Sequence, residues 1–171
     1  MVGLSTPFLG FKDLGSFDYK SNFSFSESCT KKKLKAIVLG AGNRGNVYGD
    51  YAVSYPEQLD IVGVAEPIDI RIDRFSAKHG VDKKRQYETW EHVFEQKKFA
   101  DIIIVTTPDD LHYGPAMRAL NMGYDVLLEK PIAQTWKESS DILAAQKAND
   151  AIVAVCHVLR YSPYYLSLIH I

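Results

Sequence analysis

A glycine-rich loop, Gly40-Ala-Gly-Asn-Arg-Gly45, most strongly limits what this chain can fold into. It lies between a short apolar run and a helix predicted over residues 44–54, which is the required context for such a loop. Gly40 then permits a tight turn, Gly42 lets the backbone approach a pyrophosphate, and Gly45 lets the helix pack against the strand. Free N–H groups at the helix N-terminus favour phosphate. The alternative is a tight turn that binds nothing. The loop predicts a dinucleotide site formed by Gly40, Ala41, Gly42, Asn43, Arg44 and Gly45.

Apolar runs and helical segments alternate along the rest of the chain. Strands are predicted at residues 35–39, 61–65, 101–106, 124–128 and 152–156. Helices are predicted between them, at about residues 44–54, 70–79, 89–96 and 135–149, and a turn at residues 107–110 is predicted to open a further helix that runs to about residue 122. Such alternation is typical of βαβ units. We therefore predict an α/β fold over residues 33–165, a Rossmann-type doubly wound sheet with mostly parallel strands.

The composition is that of an ordinary globular domain. A net charge of −1 with 24% charged residues gives no reason to expect nucleic acid or an anionic membrane as a partner. No apolar run approaches the roughly 20 residues of a membrane helix. Cys29 and Cys156 have no metal-binding spacing, so no metal site is predicted. Without a secretory or transit signal, the predicted compartment is the cytoplasm.

Residues 1–32 differ from the remainder in being rich in Ser and Phe without a sustained helical or strand period. We predict a mostly disordered extension. One alternative is a docking segment that uses its aromatic side chains. Another is a translated leader that the working protein lacks.

Glu66 ends the second predicted strand, about 20 residues after the glycine loop, where an acid binds the adenosine ribose hydroxyls. A carboxylate there repels a 2′-phosphate, which favours NAD as cofactor over NADP. NADP stays possible because Arg71 and Arg74 could turn toward a 2′-phosphate. The alternative is that both arginines belong to the solvated face of a short helix.

Glu129-Lys130-Pro131 follows the apolar run at residues 124–128. In an open α/β sheet, ligands bind outside the carboxyl ends of the strands. A lysine at such an end can donate a proton to a bound carbonyl, so Lys130 is the predicted catalytic residue. The alternative is a solvated surface lysine. Glu129 is predicted to pair with Lys130 or to bond the nicotinamide ribose, and a cis Lys130–Pro131 bond is possible.

Other polar residues follow the third and the last strand. Thr106, Thr107 and Pro108 should reach the cofactor crevice. His112 starts the next helix, whose N-terminus disfavours imidazolium, so a neutral hydrogen-bond partner of the cofactor is predicted. An ordinary polar residue in a first turn is the alternative. The residues predicted to line the substrate side, or to brace a following domain, are His157, Arg160 and Tyr161.

These motifs, in this order at strand ends, resemble the glucose–fructose oxidoreductase / inositol dehydrogenase / MocA (Gfo/Idh/MocA) family over about residues 34–165. The resemblance implies a Rossmann domain followed by an α/β substrate domain in a full-length homo-oligomer. It implies oxidation or reduction of a sugar, cyclitol or related polyol with NAD(P). By position, Lys130 would contact the reacting hydroxyl or carbonyl. Glu129 and residues 107–112 would border the nicotinamide ribose.

Beyond Tyr165 the sequence does not resemble that family's continuation, so we expect this chain to lack the family's second domain. Residues 166–171 match one translated frame of a common transposase sequencing adaptor, so we expect a truncated chain with little activity of its own. Two other functions stay open. One is a regulator that binds dinucleotide without turnover and does not need Lys130. The other is an NAD-dependent glycosidase, which would show no net redox change.

Overall fold

The computed structural model describes residues 32–162 and residue 165 of the 171-residue chain. Six parallel strands form one sheet in the order β3-β2-β1-β4-β5-β6. This order confirms the predicted Rossmann-type doubly wound sheet. The predictions for residues 1–31 and 166–171 concern residues outside the described ones. The strands are β1 Leu34–Leu39, β2 Leu59–Ala65, β3 Gln86–Tyr87, β4 Ile102–Val105, β5 Asp125–Glu129 and β6 Val153–Cys156.

Helices connect the strands on both faces of the sheet. They are α1 Asn43–Ser54, α2 Asp69–His79, α3 Trp90–Phe94, α4 Tyr113–Asn121 and α5 Trp136–Ala148, with short 3-10 turns at Lys83–Arg85, Asp109–Leu111 and Val158–Tyr161. The longest, α5, has 13 residues. None of the helices between residues 32 and 162 combines the length and the apolar character needed to cross a lipid bilayer.

Local signals explain where several helices begin and end. Thr135 and Glu138 form the expected capping box, in which each side chain accepts the backbone N–H of the other residue, at 3.2 and 3.0 Å. Gly80 ends α2 with a left-handed φ of 68°.

One feature differs from the sequence prediction. Strand β3 was not predicted, because its two residues carry no apolar run and pair only with the end of β2. The turn predicted at residues 107–110 corresponds to the 3-10 turn Asp109–Leu111, and the helix predicted after it is α4. His112 lies at the junction of the two, with helical backbone angles of φ −74° and ψ −39°.

The sheet is buried on both faces. On one face Ile37, Leu39 and Ile103 are fully buried in a core with α3, α4 and α5 residues. On the other face Val38 and Ile104 pack in a second core that includes α2. The central strands are therefore fixed from both sides, which holds their carboxyl ends in constant relative positions.

Candidate functional site

The residues singled out in the sequence converge at the carboxyl edge of the sheet. The glycine loop follows β1, and Thr106 follows β4. Lys130 follows β5 and His157 follows β6. Strand β1 is flanked by β2 and β4, so the crossovers leave it in opposite directions. This switch point is where open α/β sheets bind ligands.

The three glycines of the loop have different surroundings. Gly40 has a φ of 98°, and a Cβ there would lie 2.5 Å from the Thr106 carbonyl oxygen. A Cβ on Gly45 would lie 2.0 Å from the Gly40 carbonyl oxygen. A Cβ on Gly42, the N-cap residue of α1, would meet nothing within 4 Å. Packing therefore explains Gly40 and Gly45, whereas Gly42 leaves open space beside a helix start that has no side-chain cap.

Glu66, directly after β2, is only 4% exposed. Its Oε2 accepts the Ala41 N–H at 2.8 Å, and its Oε1 accepts the Ile68 N–H at 3.1 Å. Arg71 Nη1 lies 3.9 Å from the same Oε1. Glu66 therefore braces the glycine loop, and both of its oxygens already hold protein donors. Next to the loop lies a mainly polar cavity of about 280 Å³, whose lining includes Arg71 and Arg74.

Glu129, the last residue of β5, is also only 4% exposed. Its Oε1 accepts hydrogen bonds from Arg44 Nε at 2.8 Å and from the Tyr48 hydroxyl at 2.6 Å. Its Oε2 accepts the Lys130 N–H at 3.0 Å. Burial acts to raise the pKa of Glu129, but the hydrogen bonds from Tyr48, Lys130 N–H and Arg44 outweigh it and hold the pKa below 4.5. Arg44, and not the ammonium group of Lys130, is thus the ion-pair partner of Glu129.

Tyr48 was not identified from the sequence. It lies four residues after Arg44, so both side chains occupy one face of α1 and reach the same carboxylate oxygen. Burial, together with hydrogen bonds to Cys156 and Glu129, raises the pKa of Tyr48 well above its usual value. Burial also raises the pKa of the Cys156 thiol. Tyr48 is therefore a permanent donor to Glu129, and its helical spacing from Arg44 is the signal that could have identified it.

Lys130 is exposed, in contrast to Glu129 before it. It lines a cleft of about 670 Å³ together with Arg44, His157, Val158 and Leu159. The Lys130–Pro131 peptide is cis. The Lys130 ammonium donates no hydrogen bond to another residue within 32–162. In that part of the chain, no group of His, Cys, Asp and Glu side chains is arranged to hold a metal ion. The structure thus brings Lys130 and His157 together, and it places Arg160 and Tyr161 in the adjacent 3-10 turn.

His112 is buried, with 1% of its surface exposed, and does not face the crevice. Its Nδ1 lies 2.6 Å from the Pro131 carbonyl oxygen, and its Nε2 lies 3.0 Å from the Thr107 carbonyl oxygen. Both ring nitrogens thus face backbone carbonyl groups, and the predicted contact between His112 and the cofactor stays a prediction. Thr107 and Pro108 do reach a cavity, of about 260 Å³, that Gly40 also lines.

Comparison with known proteins adds three findings. A family profile described as an oxidoreductase family with an NAD-binding Rossmann fold matches residues 34–157. Oxidoreductase P35 of Formosa agariphila is 28% identical over 131 residues, which cover 77% of this chain and 40% of that protein. The scyllo-inositol 2-dehydrogenase (NADP(+)) IolW of Bacillus subtilis is 25% identical over 140 residues, 79% of this chain and 36% of that protein.

Among solved structures, the WlbA dehydrogenase of Chromobacterium violaceum, in complex with NADH and UDP-GlcNAcA, superposes with a TM-score of 0.73. It is 21% identical, and the match covers 82% of this chain and 39% of that one, so it bears on the fold alone. The chain spans 40% or less of the length of these three proteins.

Proposed function

This chain belongs to the Gfo/Idh/MocA oxidoreductase family, and we propose that it forms the cofactor domain of a dehydrogenase acting on a sugar, cyclitol or related polyol. The names of several relatives support this substrate class, since they include inositol 2-dehydrogenase and scyllo-inositol 2-dehydrogenase. In the proposed reaction a hydride moves between the substrate carbon and the nicotinamide ring, which is the chemistry that the bound cofactor supplies.

The observation that carries the proposal is the contrast between Glu129 and Lys130 at the end of β5. Glu129 is buried and accepts hydrogen bonds from protein donors at both oxygens, whereas Lys130 extends into the cleft that His157 and Arg44 also line. In the direction of reduction, the Lys130 ammonium donates a proton to the carbonyl oxygen as it gains charge. In the direction of oxidation, the neutral amine accepts the hydroxyl proton.

The same edge of the sheet offers groups that fit a dinucleotide. The uncapped start of α1 and the open space beside Gly42 suit a pyrophosphate, which needs backbone N–H donors at close range. Glu129 Oε2 accepts one protein hydrogen bond and keeps capacity for a ribose hydroxyl. We assign cofactor contacts to the glycine loop, to Thr106, Thr107 and Pro108, and to Glu129 and Lys130. His112 is left out of that set.

NAD is the proposed cofactor, and Glu66 is the reason. Its carboxylate stands at the end of β2, where a 2′-phosphate would meet a buried negative charge. Arg71 lies 3.9 Å from that carboxylate, so its charge is directed toward Glu66. Fluorescence titration with NADH and NADPH tests this choice. Tighter binding of NADPH would overturn it and would point to Arg74, in the same cavity, as the phosphate ligand.

The proposed reaction is tested with Lys130→Ala in the full-length protein. A panel of myo-inositol, scyllo-inositol and aldohexoses is screened for net formation of NADH. Net NADH formation also distinguishes a dehydrogenase from an NAD-dependent glycosidase, in which the oxidation of the substrate is transient. We expect turnover to fall by about 100-fold or more, because a general acid–base group contributes that much. The affinity for NADH should stay close to that of the parent protein. Lys97→Ala, at another exposed lysine, is the control, and unchanged turnover in Lys130→Ala would refute the role.

A further inference from the structure

His112 lies between the loop after β4 and the turn after β5. We propose that it is a positioning residue that fixes the backbone around Lys130. The inference rests on the proposed function only in taking Lys130 as the reacting side chain. His112 itself touches neither cofactor nor substrate in this arrangement, since 1% of its surface is exposed.

The imidazole ring lies between two carbonyl oxygens from different loops. Pro131 belongs to the turn after β5, and its oxygen is 2.6 Å from Nδ1. Thr107 belongs to the loop after β4, and its oxygen is 3.0 Å from Nε2. A neutral imidazole donates to one of these oxygens, and only an imidazolium donates to both. In either form the ring supplies a hydrogen-bond donor to at least one of these two backbone carbonyl groups.

The consequence for Lys130 is that its backbone is held on both sides. The Lys130 N–H donates to Glu129 Oε2 at 3.0 Å. The carbonyl group of the following residue, Pro131, contacts the His112 ring. The side chain between these two anchors is exposed and makes no ion pair with another residue in 32–162. Fixed backbone anchors therefore limit where the ammonium can lie, which is what a proton donor requires.

The contacts of His112 continue as far as the glycine loop. The Thr106 hydroxyl, which has a single proton to donate, lies 2.7 Å from the Gly40 carbonyl oxygen and 3.0 Å from the Leu39 carbonyl oxygen. The following residue, Thr107, provides the carbonyl oxygen that faces His112. An unbroken set of contacts thus joins Gly40, in the glycine loop, to Pro131 beside the lysine. A shift of the glycine loop on cofactor binding would be transmitted to Lys130.

The competing explanation is that the ring of His112 merely fills space beneath the loops. His112→Phe separates the two, because it keeps an aromatic ring of similar size and removes both nitrogens. His112→Asn is its counterpart, with a smaller side chain whose amide can still donate one hydrogen bond. His92→Phe, at an exposed histidine on α3, is the matched control.

The readout is the nuclear magnetic resonance signal of Lys130 in the full-length protein, with lysines dimethylated by isotope-labelled formaldehyde. Lys130→Arg identifies the signal by its loss. We expect His112→Phe to shift or broaden the Lys130 signal and to change its response to NADH, with the other lysine signals unchanged. His112→Asn should restore part of the parent behaviour, and His92→Phe should match the parent protein.

A folded His112→Phe protein whose Lys130 signal and NADH response equal those of the parent would overturn the proposal. If His112→Phe does not fold, a second measurement on the parent protein decides. Isotope-labelled histidine should then show a His112 ring N–H that exchanges slowly with solvent, and its absence would also overturn the proposal. Neither measurement needs turnover, so the test stands even if Lys130→Ala shows that the lysine is not catalytic.

Discussion

The two acidic residues at strand ends, Glu66 after β2 and Glu129 after β5, are equally buried but held in different ways. Glu66 accepts only backbone N–H groups, from Ala41 in the glycine loop and from the nearby Ile68. Glu129 accepts two side chains of α1, Arg44 and Tyr48, in addition to one backbone N–H. A buried carboxylate thus holds the glycine loop in the case of Glu66, whereas in the case of Glu129 it connects helix α1 to the end of β5.

The difference shows how the site is divided. The Glu66 region preserves the shape of the glycine loop, so changes there should affect cofactor binding first. The Glu129 region fixes the peptide of Lys130 relative to α1, so changes there should affect both stability and the position of the lysine. Three substitutions test this division.

Gly45→Ala should break both regions at once and have the largest effect. The new Cβ would lie 2.0 Å from the Gly40 carbonyl oxygen, so α1 must move away from β1. Arg44 and Tyr48 would move with it. We expect a loss of about 3 kcal/mol in the free energy of unfolding, measured by urea denaturation. A loss no greater than that of Gly114→Ala, where the nearest atom is on the Trp90 side chain at 3.2 Å, would contradict the packing argument.

Glu129→Gln should weaken only the β5 region. The substitution removes the charge that Arg44 and Tyr48 share, and it places an amide N–H₂ where one oxygen accepted a hydrogen bond. We expect a loss of about 1–3 kcal/mol in unfolding free energy. Glu57→Gln, at an exposed glutamate, is the control. Equal stability of Glu129→Gln and the parent protein would show that the pair makes no net contribution.

Gly42→Ala should leave both regions folded and change only ligand binding. Nothing lies within 4 Å of the added Cβ, and the backbone at φ −71° and ψ −161° accepts an alanine. The unfolding free energy should change by less than about 1 kcal/mol. The Cβ would occupy the space proposed for the pyrophosphate, so NADH should bind about tenfold more weakly or worse, a cost of about 1.4 kcal/mol. Unaltered binding would place the phosphates elsewhere.

His79 lies outside both regions, and a substitution there should have the smallest effect, seen in the pH dependence of the unfolding free energy. Its ring is buried against Phe75 without a hydrogen-bond partner in the described part of the chain, and burial, more than the nearby Lys78 charge, lowers its pKa below 6.5. As the pH falls below 6.5, the His79 ring takes up a proton in the unfolded chain before it does so in the folded protein. The stability contributed by the neutral ring is therefore fully present above pH 6.5 and declines as the pH falls toward the folded-state pKa. The slope is at most about 1.4 kcal/mol per pH unit.

Two variants separate the pH windows. His79→Leu should remove the decline that begins at pH 6.5. Glu129→Gln should instead remove a later decline, since the pKa of Glu129 is below 4.5 in the folded state and its contribution is lost as the pH falls past that value. Urea denaturation at several pH values measures both. An unchanged profile in His79→Leu would assign the first window to other groups.

Most of the fold could be predicted because its signals are local. Five strands and their intervening helices follow from apolar runs, and the capping box of α5 follows from two residues three positions apart. Strand β3 could not be predicted, since two polar and aromatic residues become a strand only where β2 offers an edge. The turn before α4 also followed from local signals, since Pro108, Asp109 and Asp110 are typical turn residues.

For the site, the sequence by itself determined which residues stand at strand ends: the glycine loop, Glu66, Glu129 and Lys130. It could not determine their partners. Arg44 and Tyr48 lie 85 and 81 residues before Glu129, and only the strand order β3-β2-β1-β4-β5-β6 brings α1 beside the end of β5. Tertiary structure likewise decided that His112 is buried between two carbonyl groups, since contacts between distant segments depend on how the sheet is assembled and not on spacing along the chain.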